Sequence, residues 1–128
     1  NSEGAISQIK QAMQLEPKNS RLPTQLALAA LRSNHPEVAS AVLAQAVEVL
    51  PPSAELYRLY GYSLFQQQQY RPAEIALRKA VSLDNHDALA YFLLGQALAR
   101  LGQNDQSQEL LAVAGRLDSS LSVQTLTR

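Results

Sequence analysis

The chain has 128 residues, enough for one continuous core and a single domain. Lysine plus arginine balances aspartate plus glutamate at 11 each, with no basic stripe, so no long-range field would draw in nucleic acid or an anionic membrane. Cysteine is absent, which removes disulfides and thiolate metal sites, and the apolar runs Leu26 to Leu31 and Val38 to Leu50 are too short or too interrupted to insert directly into a bilayer.

Alanine, leucine and glutamine dominate, as in helical proteins. Residues 3–15 place Ile6, Ile9, Ala12 and Met13 on one helical face, and Pro17 closes that helix. From Ser20, the expected cap, a helix runs through Pro23 to about Ser33 with Leu26, Ala27 and Ala30 inward. A turn at Ser33 to Pro36 leads to a partner helix carrying Ala39, Val42, Leu43, Ala46, Val47 and Leu50, which Pro51 and Pro52 end. The next pair follows the same plan. Leu56, Tyr57, Tyr60, Gly61 and Leu64 face the core from its first helix, and Ala73, Leu77, Ala80, Val81 and Leu83 from its second. Between them the run Gln66 to Gln69 contains no strong breaker. The last pair offers Tyr91, Leu94, Gly95 and Leu98, a glycine stop at Gly102, and then Leu110, Leu111, Ala114 and Leu117. After Asp118 the serine-rich tail reads as a capping turn or a frayed end.

These pairs are one unit repeated. Shifted by 34 residues, Gly61 falls on Gly95 and Ala27, Tyr57 on Tyr91, Leu77 on Leu43 and Leu111, and Ala80 on Ala46 and Ala114. The spacing resembles the tetratricopeptide repeat (TPR), with a large residue at position 4, Leu-Gly at 7 and 8, alanine at 20 and 27, a large residue at 24 and proline at 32. Tyr57, Tyr60, Gly61, Ala73, Leu77 and Ala80 fit, with Asn85 in place of the proline. In the last unit Tyr91, Leu94, Gly95, Leu111 and Ala114 fit, with Ser107 replacing an alanine. The first unit departs most, at Pro23. The expected organisation is a single array: a leading half repeat over 3–19, repeats over 20–53, 54–87 and 88–121, and a tail over 122–128. Because the chain opens at Asn1 partway through a unit, it is expected to be a fragment of a longer protein.

The resemblance implies an all-α, right-handed superhelix of about seven helices whose first helices line a concave groove for a protein or peptide partner. Its groove positions hold Arg21, Leu28, Leu31 and Arg32 in the first unit, Arg58, Tyr62 and Phe65 in the second, and Leu89, Phe92, Gln96 and Arg100 in the third. Aromatic and arginine side chains are frequent binding anchors; the alternative is that Phe65, Phe92 and Leu31 pack against the next unit. Family members that grip a C-terminal carboxylate use lysine and asparagine at positions 5 and 9. Here those pairs are Thr24/Leu28, Arg58/Tyr62 and Phe92/Gln96, so that mode is not expected.

No cofactor, metal or catalytic residue is expected. His35 and His86 fall in turns, Asp84, His86 and Asp87 make a weak metal set, and no nucleophile arrangement or phosphate loop occurs. The expected role is a binding scaffold, with an envelope or export assembly in a bacterium as its setting and either cytoplasm or periplasm compatible. The competing reading is a spacer that stacks on flanking repeats or forms a homodimer through the apolar edge at Ile6 and Ile9.

Overall fold

The fold is given by a computed structural model that describes residues 7, 8, 11, 15 and 21–121. The expected helix over 3–15, the Ser20 cap and the tail beyond 121 lie outside the described residues, except that Ser7, Gln8, Gln11 and Leu15 are helical and exposed. The rest is α-helical: α1 (Arg21–Arg32), α2 (Pro36–Val49), α3 (Ala54–Gln66), α4 (Tyr70–Leu83), α5 (Ala88–Arg100) and α6 (Asn104–Leu117), followed by a short 3-10 turn at Ser119–Leu121. No strand occurs among the described residues.

Helix boundaries follow the repeat because the same local chemistry recurs. Ser53 and Asp87, 34 residues apart, cap α3 and α5 by accepting the N–H of Leu56 and Ala90. Each first helix ends in a turn whose key residue is left-handed: Asn34 at φ 62°, Gln68 at φ 63° and Gly102 at φ 80°. The next N–H in each case reaches back five residues, from His35 to the Ala30 carbonyl (2.8 Å), Gln69 to Leu64 (2.9 Å) and Gln103 to Leu98 (2.9 Å). The glutamine run therefore breaks the helix as the glycine does, by placing one residue at positive φ. It then aims α4 back along α3.

Packing is between neighbours. Each helix lies against the one before and the one after it, and the first helices of successive units also touch, α1 with α3 and α3 with α5. Ala27, Ala39, Leu43, Ala46 and Leu56 form one buried cluster, and Ala73, Leu77, Leu94 and Leu98 belong to a second. Half-buried Tyr60 packs against both and makes the core continuous. Within a unit the close approach is set by glycine. A Cβ on Gly61 would stand 2.5 Å from Leu77 Cγ, and one on Gly95 2.6 Å from Leu111 Cγ. Ser107, at the alanine position, is buried without penalty because its hydroxyl donates to the Gly95 carbonyl at 2.7 Å.

Two details differ from the sequence expectation. Leu83 and Leu117, placed in the core by periodicity, are 41% and 39% exposed because each closes its helix just beyond the buried alanines Ala80 and Ala114. Glu74, in contrast, is buried, and its carboxylate is shared between Arg71 and Arg78, the latter at 2.9 Å. Arg78 also donates to Gln106 on α6, so this network fastens one second helix to the next.

Candidate functional site

An apolar cleft of about 550 Å³ opens where α1, α3 and α5 line up. Leu28 and Leu31 of α1, Leu59 and Tyr62 of α3, and Leu89 and Leu93 of α5 form its walls and floor. Leu59 and Leu93 are the buried floor, Leu89 is 45% exposed, and Leu28, Leu31 and Tyr62 are half-buried. The tyrosine hydroxyl accepts from Gln66 Nε2 at 2.5 Å, which settles the ring along the wall. Helical spacing explains the convergence. Leu28 and Tyr62 occupy equivalent places in adjacent units, and side chains three or four residues along the same helices complete the surface.

Arg32 and Arg58 are the charged members of this lining, and they are in different states. Arg58 Nη1 donates to Asp87 Oδ2 at 2.7 Å; the arginine side chain is 25% exposed and the aspartate 7%. Asp87 meanwhile caps α5 through its other oxygen, at 3.1 Å from the Ala90 nitrogen. One buried carboxylate thus satisfies a helix end and cancels the cleft's inner cation. Arg32, in the last turn of α1, is exposed and forms no ion pair among the described residues.

The expected groove residues divide into three groups. Leu28, Arg58 and Tyr62 meet in the cleft, together with Leu31, Arg32 and Leu89. Phe65 and Arg100 form a separate cluster with Tyr70. The two rings meet edge to face at 5.3 Å, the guanidinium lies 5.8 Å and 5.7 Å from their centroids, and Arg100 donates to the Tyr70 hydroxyl at 3.1 Å. Arg21, Phe92 and Gln96 do not line the cleft; Arg21 is exposed, and Phe92 and Gln96 are half-buried. Leu59 and Leu93, absent from the expected set, were detectable in principle, since each holds the sixth position of its unit and they stand 34 residues apart. The weak metal set at Asp84 and Asp87 is occupied by turn chemistry, with Asp84 accepting the His86 N–H and Asp87 engaged as above. Among the described residues no group of three potential ligands comes together.

The repeat geometry agrees with the comparison to family models. Tetratricopeptide repeat models match residues 1–61, 54–87 and 88–112. The chain belongs to the tetratricopeptide repeat family. Among solved structures, a MamA crystal structure is similar with a TM-score of 0.79 at 25% identity, over 92% of this chain and 69% of that one. A second MamA structure is covered over 64% of its length, so this TPR chain spans about two thirds of the MamA chains. The Arabidopsis OM64 TPR domain (TM-score 0.76, 19% identity, 78% of this chain and 83% of that one) shares the fold. So does the second TPR of Spaghetti (RPAP3) bound to the HSP90 peptide SRMEEVD (0.77, 17%, 84% and 99%). Among curated proteins no relative matches. No helix among the described residues is long and apolar enough to cross a membrane.

Proposed function

We propose that this TPR array is a protein-interaction scaffold that receives a peptide segment of its partner in the cleft between α1, α3 and α5. The observation that carries the reading is the cleft itself, since six apolar side chains from three separate repeats converge on one open recess. A surface of that kind is costly to leave in water and fits a partner's apolar side chain. The RPAP3 domain, alike in fold, is bound to a peptide, which supports a peptide-binding role for the array. Catalysis has no comparable support, because Arg58 and Asp87 are engaged as an ion pair and a helix cap. A bacterial envelope or export assembly is the proposed setting: the glutamine-rich, lysine-poor, cysteine-free composition supports a bacterial source, and the resemblance to bacterial TPR proteins of envelope assembly supports the process.

The test is retention of a partner from host lysate by the wild-type chain and by a Tyr62→Ala, Leu89→Ser double variant with an unchanged melting curve. A protein held by the first and lost by the second is expected. Equal retention by both would remove the cleft from the function. Recovery of the partner in a cytosolic rather than an envelope fraction would remove the proposed setting.

A second reading, a spacer that self-associates through its leading edge, is favoured by Leu15, a helical residue 82% exposed. Sedimentation of a Leu15→Glu variant addresses it, since a wild-type dimer that becomes monomeric would support the spacer.

A further inference from the structure

The two arginines of the cleft mark out which chemistry it accepts. In the 34-residue frame Arg58 is level with Thr24, two helical turns before the level of Arg32, or about 12 Å along the axis. The cleft therefore has a basic group at each end of its apolar floor. At the Arg58 end, however, a carboxylate of the chain's own already occupies the guanidinium: Asp87 lies 2.7 Å away and is 7% exposed. An incoming acid would meet a guanidinium whose charge is already offset and would lie beside a like-charged carboxylate that is also holding the N–H of Ala90. At the Arg32 end the guanidinium is open to solvent and to any carboxylate that arrives beside a seated apolar residue.

We propose that the cleft takes a peptide with a large apolar anchor residue and an acidic residue placed to meet Arg32, and that Asp87 is the specificity-determining residue that refuses a second acid at Arg58. This rests on the scaffold reading above. Charge complementarity supplies the acidic group, and the apolar floor of Leu59 and Leu93 supplies the anchor's socket. The refusal is built into the fold. Because Asp87 is also the cap of α5, accepting the Ala90 N–H through its other oxygen, the helix end itself holds the counter-charge beside Arg58.

The experiment is selection from a random dodecamer peptide-display library against the wild-type chain, Arg32→Gln and Asp87→Asn. Asparagine caps a helix as well as aspartate does, so Asp87→Asn keeps α5 closed while removing the counter-charge. Wild-type chain is expected to enrich a large apolar residue with one acidic neighbour. Arg32→Gln is expected to keep the apolar preference and lose the acidic one, and Asp87→Asn to acquire a second acidic position. No enrichment by the wild type would overturn both the recognition reading and this inference. The same motif from wild type and Asp87→Asn, or an apolar motif without an acid, would overturn the inference alone. Sedimentation completes the test: a wild-type dimer lost on Tyr62→Ala would seat a second copy in the cleft and also overturn it.

Discussion

Gln68 carries the least comfortable backbone in the array. At φ 63° it stands where the repeat places Gly102 one unit later, and its Cβ crowds the following carbonyl as it does for any L-residue in that region. Gln68→Gly is expected to stabilise the chain by about 1 kcal/mol, because relief of that crowding exceeds the extra chain entropy glycine gives up. The reverse change, Gly102→Ala, should destabilise by a similar amount although nothing lies within 4 Å of the added Cβ, since its strain is in the backbone alone. Thermal melts of the two variants, moving in opposite directions, check both. Gly61 is the complementary case, needed for space rather than for conformation. Gly61→Ala would drive a Cβ into Leu77 and cost roughly 1–3 kcal/mol, and denaturant unfolding of the variant gives the figure directly. A Gly61→Ala chain as stable as wild type would mean that α3 and α4 do not meet at that point.

Between helices, the contacts divide into those that follow the 34-residue frame and those that do not. Gly61 with Leu77 and Gly95 with Leu111 follow it, as do the caps at Ser53 and Asp87, so helix order, turns and core alanines were legible from spacing. The polar contacts across repeats were not. Gln67 Nε2 donates to Ser40 Oγ at 2.8 Å and to the Pro36 and Ser63 carbonyls, a tie between α2 and the end of α3 that begins in a run of four similar glutamines. Which glutamine turns inward is set by the left-handed step at Gln68, and single-letter periodicity carries no such information. The candidate site shows the same split. Leu28 and Tyr62 come together because their spacing is that of the repeat, whereas the neutralisation of Arg58 depends on a carboxylate 29 residues away, at the last position of the same repeat where it caps the next unit's first helix. Phe65 and Arg100 join Tyr70 for a similar reason, a cross-repeat stacking that helix phase alone does not specify. Gln67→Ala is accordingly expected to cost about 1 kcal/mol through the lost inter-repeat hydrogen bonds. Gln66→Ala, whose side chain is exposed and reaches only Tyr62, should lie near zero. Paired urea melts of the two distinguish an inward glutamine from a solvated one.

At the scale of the molecule, an array held by contacts between neighbours stores its stability differently from a globule with one central core. Each unit contributes its own packing and an interface with the next, so a defect spreads only as far as the interfaces it touches. Leu77 is fully buried in α4, packed beneath Gly61 and within the cluster that also holds Leu94 and Leu98 of α5. Leu111 has the same place one unit on, beneath Gly95, but α6 has α5 as its principal helical neighbour among the described residues. Truncating either leucine to alanine removes the same atoms and leaves a cavity worth about 2–5 kcal/mol where the surroundings cannot collapse. The consequences should nevertheless differ in extent. With Leu77→Ala, the defect weakens the α3–α4 packing and the α4–α5 interface together, and amide exchange is expected to accelerate from α3 through α5. The cleft, which draws its walls from α1, α3 and α5, would loosen with them. With Leu111→Ala the acceleration should be confined to α6 and the facing side of α5, leaving α1 to α3 as protected as in the wild type. Hydrogen exchange followed by mass spectrometry resolves the two patterns. A uniform loss of protection across all helices from Leu111→Ala would show that the units unfold as one cooperative body, and the cleft would then depend on every repeat equally.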